Sequence, residues 1–445
     1  MAGAGGADAG GTANGGASEN VAGALNAGGS AGAAGVIGNV RELIVGPRAT
    51  CVRQVSGRVR CWGSAEDGAL PLETDPTHPC GDLPCVQIPT TVPDLWDARG
   101  VALGALHGCS IDDSGMDDSG GVKCWGSNDF GELGRGVSDA DAHPEPLAVT
   151  LTSVRMLRAG DHHTCALQTN GRVYCWGLGA SGQLGVAANT LETCAVPPTL
   201  KGVGVVPATD EVACSTTPLE VTGLTNVTSL FAQGANTCAR TSGGAFYCWG
   251  SNDARQLAPG SGAATVTSPV ELKNAAGLAF ALGAHHACTR DSEGAVRCWG
   301  AHDAGQLGVG SASVDDCGGR ACRGTPTLLA DLPKAKLLAL GGEHSCATLE
   351  SGSVRCWGSD AVGQLGDSSQ VNLTCSALGG SVPCQTRPLT TVHELTGVHA
   401  LACGSRHCCA QSGAEVMCWG SNAWGQSSGF DLAPRPFPSK VYGLD

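Results

Sequence analysis

At 445 residues the chain is long enough for two or three ordinary domains, or for one large repeat fold. Aromatic residues make up only 4%, with three Tyr and six Phe, which excludes a large aromatic core, while 68 Gly point to many tight turns. A net charge of −14 argues against a nucleic-acid partner, and no run of eighteen apolar residues is present to cross a membrane as a helix.

Residues 1–37 are Gly/Ala-rich, nearly uncharged and low in complexity, which predicts a flexible tether. Residues 38–445 repeat. A Cys-Trp-Gly triplet recurs seven times, with Trp62, Trp125, Trp176, Trp249, Trp299, Trp357 and Trp419 at its centre. A Gly-Gln-Leu-Gly turn follows several triplets, at Gly182–Gly185, Gly305–Gly308 and Gly363–Gly366, with Gly131–Gly134 a near match. A second Cys usually stands ten residues before the first.

Each unit reads as strands joined by turns. Setting Cys165 opposite Cys175 places Leu167 opposite Val173 and leaves a three-residue loop ending in Gly171, a type I turn closed by a left-handed Gly. Gly57, Gly244, Gly294 and Gly352 fall at the same place in their units. The second unit is five residues longer because DDSG occurs twice, at Asp112–Gly115 and Asp117–Gly120. The seventh is one residue shorter, which predicts a two-residue type II′ turn at Gly413-Ala414.

Opposed residues of such a hairpin lie within disulfide reach. Seven bridges are therefore predicted: Cys51–Cys61, Cys109–Cys124, Cys165–Cys175, Cys238–Cys248, Cys288–Cys298, Cys346–Cys356 and Cys409–Cys418. The remaining cysteines form the close pairs Cys80/Cys85, Cys194/Cys214, Cys317/Cys322 and Cys375/Cys384, with Cys403 and Cys408 left for each other. The first four pairs occupy the same stretch of their repeats, so their loops are expected on one face. Zinc is the competing reading, but Cys-x-x-Cys spacing is absent and all 24 Cys pair off, so no metal is expected. An even, paired set implies an oxidising compartment, extracellular or at a cell surface. Residues 1–30 lack the charged and apolar regions of a signal peptide, which leaves the export route open.

The pattern Gly-x-x-His-x-Cys-Ala-Leu…Gly-Arg-Val-Tyr-Cys-Trp-Gly…Gly-Gln-Leu-Gly across Gly160–Gly185 resembles the regulator-of-chromosome-condensation repeat. The resemblance covers residues 38–445. It implies an all-β, seven-bladed propeller of four-stranded blades, here in a cysteine-rich variant that looks like an exported bacterial branch. Val40–Gly46 supplies the leading strand of the first unit and Pro438–Tyr442 ends the last. The two termini are therefore expected to share one blade in a velcro closure.

His107, His163, His286, His344 and His407 each precede a hairpin Cys by two residues. Repetition favours a scaffold hydrogen bond over catalysis, which needs one asymmetric constellation. The seven triplet Trp are expected to pack between blades; Trp96 and Trp424 lie outside the pattern. The Asp-rich insert offers oxygen ligands for Ca²⁺ but lacks calcium-loop spacing and reads as a duplicated turn. Ser127–Gly131 echoes a sialidase Asp-box without its closing Trp. No nucleophile elbow, zinc-protease helix or phosphate-binding loop appears, and no cofactor is indicated.

The reading that follows is a monomeric, non-enzymatic binding scaffold that presents clamped loops to a protein or a surface glycan. The alternatives are an inhibitor of an extracellular enzyme and a propeller lyase or hydrolase acting on polysaccharide. Guanine-nucleotide exchange, which the resemblance also brings, conflicts with the charge and the disulfides.

Overall fold

The computed structural model describes residues 38–72, 80–112, 120–202, 205–257, 262–273, 275, 277–310, 314–377 and 380–444. The tether assigned to residues 1–37, and most of the Asp-rich insert (113–119), lie outside them.

The fold is an all-β propeller whose unit is an antiparallel hairpin flanked by an inner and an outer strand. In the first unit these are Val40–Val45, Ala49–Gln54, Val59–Ser64 and Cys85–Thr91, paired in that order. All seven cysteine hairpins form, and each sets its two Cys directly opposite each other. The three-residue loops turn through Gly at φ +82° to +86°, as at Gly57, Gly171 and Gly294. Ser412 faces Glu415 across the Gly413-Ala414 turn, where only Gly413 takes a positive φ.

Two expectations are corrected. Seven separate four-stranded blades do not form: the strands make six hydrogen-bonded sheets, of four, eight, four, five, five and four strands. The eight-stranded sheet arises because Asp139–Ala159 is one strand of 21 residues. Val154 pairs with Gly120 on one side and with Gln168 on the other, so the ladder runs from the second hairpin into the third without a break. The extra strands come from the clamped inserts: Glu192–Ala195, Asp315–Asp316 and Leu373–Ala377 each add to the outer edge of their sheet.

The velcro closure is also corrected. Val40–Val45 pairs within the first sheet and Arg435–Lys440 within the last, so no sheet combines the two ends of the chain. Side chains close the ring instead. Val40, Leu43, Val45 and Trp62 of the first sheet share a core with Ala400, Ala402, Cys409 and Val441 of the last. Apolar burial supplies the attraction across the seam.

The remaining core has the same layout, with apolar clusters lying between successive sheets. All seven triplet Trp are fully buried. Each indole N–H donates to a carbonyl of the preceding unit, for example Trp249 to Gln183 at 2.9 Å, Trp357 to Gln306 at 2.9 Å and Trp419 to Gln364 at 3.0 Å. The series closes on itself, since Trp62 donates to Gln426 at 2.9 Å. The Gln of the Gly-Gln-Leu-Gly turn braces its own loop by accepting from the backbone N–H two residues earlier, as Gln183 does from Ser181 and Gln306 from Ala304. A buried Trp needs a partner for its N–H, and this turn supplies it.

Candidate functional site

The five repeated His are structural. His163 bonds Thr237 at 2.8 Å, His286 bonds Ser345 at 2.8 Å and His407 bonds Thr50 at 2.9 Å, each hydroxyl belonging to the next unit. Those hydroxyls donate onward to the carbonyls of Gln183, Gln306 and Gln426. A hydroxyl has one hydrogen, so the imidazole Nε2–H is the donor. Burial holds His107, His163, His344 and His407 down to about 3, helped by the charge of His162 on the first two. The Gly of Gly-x-x-His is steric: a Cβ on Gly160 would lie 2.1 Å from the His163 ring. His344 meets Cys408 Sγ at 3.0 Å, because Cys stands there in place of the usual hydroxyl.

The structure joins all the remaining cysteines in pairs: Cys80–Cys85, Cys194–Cys214, Cys317–Cys322, Cys375–Cys384 and Cys403–Cys408. The second Cys of each of the first four faces the residue just after a Cys-Trp-Gly triplet: Ser64↔Cys85, Leu178↔Cys214, Ala301↔Cys322 and Ser359↔Cys384. One register position puts all four inserts at the same end of their strands. The loop that follows each triplet lies at that end too, and it carries Glu66, Asp129, Asp253 and Asp303 at equivalent places.

The densest polar group on this face belongs to the fourth and fifth units. The Cys317–Cys322 clamp brings Arg320, nearly buried, to 2.9 Å from Asp303 and 3.4 Å from Asp253. His285 lies 3.1 Å from Asp253. Burial would raise the Asp253 carboxyl, but the His285 hydrogen bond and charge, with Gln256 and Arg320, outweigh it and hold the group low. Glu343 is pushed up by burial and by Asp303. A cleft beside this group is lined by Asp161, Ser181, Val206, Pro207, Asp253 and His285, with the Cys194–Cys214 insert forming one wall.

A second group lies in units two and three. Glu132 replaces the turn Gln, is fully buried, and sits 3.2 Å from His162. Burial alone would lower His162, but Glu132, Asp161 and Asp129 together raise it. Asp129 is raised to about 6, chiefly by burial, against its hydrogen bond from Ser127. This face therefore combines fixed carboxylates, two imidazoles and a pinned guanidinium, which suits recognition of a charged, hydrogen-bonding surface.

Sequence reasoning missed Arg320, although an Arg inside a Cys-to-Cys insert of an acidic chain was a usable signal. Trp424 is half-buried under the Arg48 guanidinium, 4.9 Å from its ring centre. Asp112 pairs with Lys123 at 3.4 Å. Ser127 bonds Asp129 within its own turn.

The family model described as the RCC1-like domain matches residues 31–377. The chain belongs to the RCC1-like domain family. Within that family it is 27% identical to the human E3 ubiquitin-protein ligase HERC2, over 85% of this chain but 7% of that protein. It is 27% identical to pim1 of Schizosaccharomyces pombe over 53% of this chain and 41% of that protein. The chain thus spans less than half the length of each of these two relatives. Among solved structures, Prp20p from Saccharomyces cerevisiae, described with its binding properties to Gsp1p and histones, superposes with a TM-score of 0.69. It is 22% identical and covers 88% of this chain and 87% of its own. An RCC1-like propeller scaffold carrying many disulfides is what these comparisons and the geometry establish together. Among the described residues, no helix is long and apolar enough to cross a membrane.

Proposed function

We propose that this RCC1-like propeller is a non-enzymatic binding scaffold of an oxidising, extracellular or cell-surface compartment, and that its clamped-loop face docks a protein partner. One observation carries the reading: four disulfide-clamped inserts share one register position, and one of them locks Arg320 against Asp253 and Asp303. Loops held on a rigid frame are where binding concentrates. The relative Prp20p, whose described partners are proteins, supports a protein over a glycan on this face. The net charge of −14 favours a partner surface rich in Lys and Arg.

The test is cross-linking of the intact protein on the surface of its native cells, followed by the same experiment with residues 195–210 and 376–380 replaced by short Gly-Ser links. A specific cross-linked protein that disappears with the shortened inserts is expected. Unchanged cross-linking after shortening, or free thiols in the natural protein by non-reducing mass mapping, would overturn the proposal.

A further inference from the structure

We infer that a cavity on the opposite face, between the first and second units, is a binding site for a neutral sugar ring. It lies under the connection from Val92 to Arg99 and is lined by Asp94, Trp96, Asp97, Ser110, Asp112 and Lys123. Its volume of about 270 Å³ falls just below the range of drug-sized ligand cavities, ~300 to 1,000 Å³. That suits a single ring better than a peptide.

Three independent features point to a polyol. Trp96 is the one Trp in the chain that is more than half exposed, at 52%. The other eight are buried or half-buried. The Arg58 guanidinium stacks 5.2 Å from its centre, and the Gly57 turn of the first hairpin packs against its backbone carbonyl. The indole is thereby fixed as a platform for the C–H face of a sugar. Ser110, fully buried on the strand His107–Ile111, lines the cavity with its hydroxyl unpartnered among the described residues. A buried hydroxyl without a partner costs free energy that a ligand hydroxyl would recover. Finally, the charges are mixed. Lys123 stands opposite Ser110 across the ladder and pairs with Asp112 at 3.4 Å.

Such a wall offers acceptors in Asp94 and Asp97 and donors in Lys123 and Ser110, side by side. Sugar hydroxyls use both at once. An anion would meet three carboxylates, and a cation would meet Lys123 and the Arg58 already on the ring. This site is separate from the clamped-loop face and does not depend on what binds there.

Saturation-transfer NMR on the full chain, with cellotetraose, chitotetraose and maltotetraose as probes, tests the inference. Transfer to at least one probe is expected, with a Kd on the order of 1 mM. Trp96→Ala should weaken it at least about tenfold, a loss of ~1.4 kcal/mol. Ser110→Ala, which removes only the hydroxyl, should weaken it measurably while thermal unfolding is not lowered. Absence of transfer from all three probes, or equal transfer in both variants, would overturn the inference. So would binding of N-acetyl-arginine amide that depends on Trp96 when the sugars give none.

Discussion

At the scale of single residues, the hydrogen bonds that hold the ring leave no room for a side chain at Gly160. A Cβ on Gly160 would fall 2.1 Å from the His163 ring and 2.5 Å from the Gly234 carbonyl, and backbone cannot step aside. Gly160→Ala should therefore cost about 1–3 kcal/mol, read as a lower urea midpoint with an unchanged slope. The neutral histidines give a second prediction. In the unfolded chain they protonate near pH 6.5, while in the fold burial holds His107, His163, His344 and His407 down to about 3. Between those values the unfolded state binds more protons, so stability falls as pH drops through that window. Urea titrations at several pH values should show this slope, and His163→Gln should reduce it. His162 works in the opposite sense: Glu132 raises it, and its contribution is present at low pH and lost as pH rises.

At the scale of the element, the hairpin is the part that is read most directly from sequence. The ten-residue interval between Cys165 and Cys175, with Gly171 ending the loop, sets Leu167 opposite Val173, and the ladder has that register. Turn chemistry and side-chain alternation are local, so they show in the chain. The partners of the hairpin are not local. Thr164 follows His163 in sequence, yet His163 bonds Thr237, and Thr164 bonds His107 at 2.9 Å. Nothing in one unit states which neighbour completes it. Each hairpin disulfide sets two Cα atoms 4.1 Å apart, as in Cys288–Cys298, and closes a short loop. Replacing Cys288 and Cys298 by Ser should cost up to about 2–3 kcal/mol by the loop-entropy relation, measured by urea unfolding. The clamped inserts behave differently, because their extra strands sit on outer edges and bury little. Replacing Cys317 and Cys322 by Ser should cost no more than the hairpin change, up to about 2 kcal/mol read from the urea midpoint, while freeing Arg320 from Asp253 and Asp303.

At the scale of the whole molecule, the seam between the first and last sheets is built like every other joint. Trp62 donates to Gln426 at 2.9 Å across the seam, as Trp299 donates to Gln256 at 2.8 Å within the ring. Trp62→Phe and Trp299→Phe should each lose about 2–4 kcal/mol, the hydrogen bond together with the cavity left by the smaller ring, and by similar amounts. A much larger or earlier loss of structure for Trp62→Phe in hydrogen exchange would mark the seam as a weak point and refute this equivalence.

Taken alone, the chain determined the repeat unit, its disulfide spacing, its turn types and the family, because all of these rest on residues a few positions apart. Only the tertiary structure decided that Asp139–Ala159 runs unbroken between two hairpins, giving six sheets. It alone decided that the ring closes through packed side chains and not a shared sheet, and that Arg320 reaches Asp253 and Asp303. Those outcomes depend on residues tens to hundreds of positions apart, where the deciding energies are burial and electrostatics between units and leave no periodic trace in sequence.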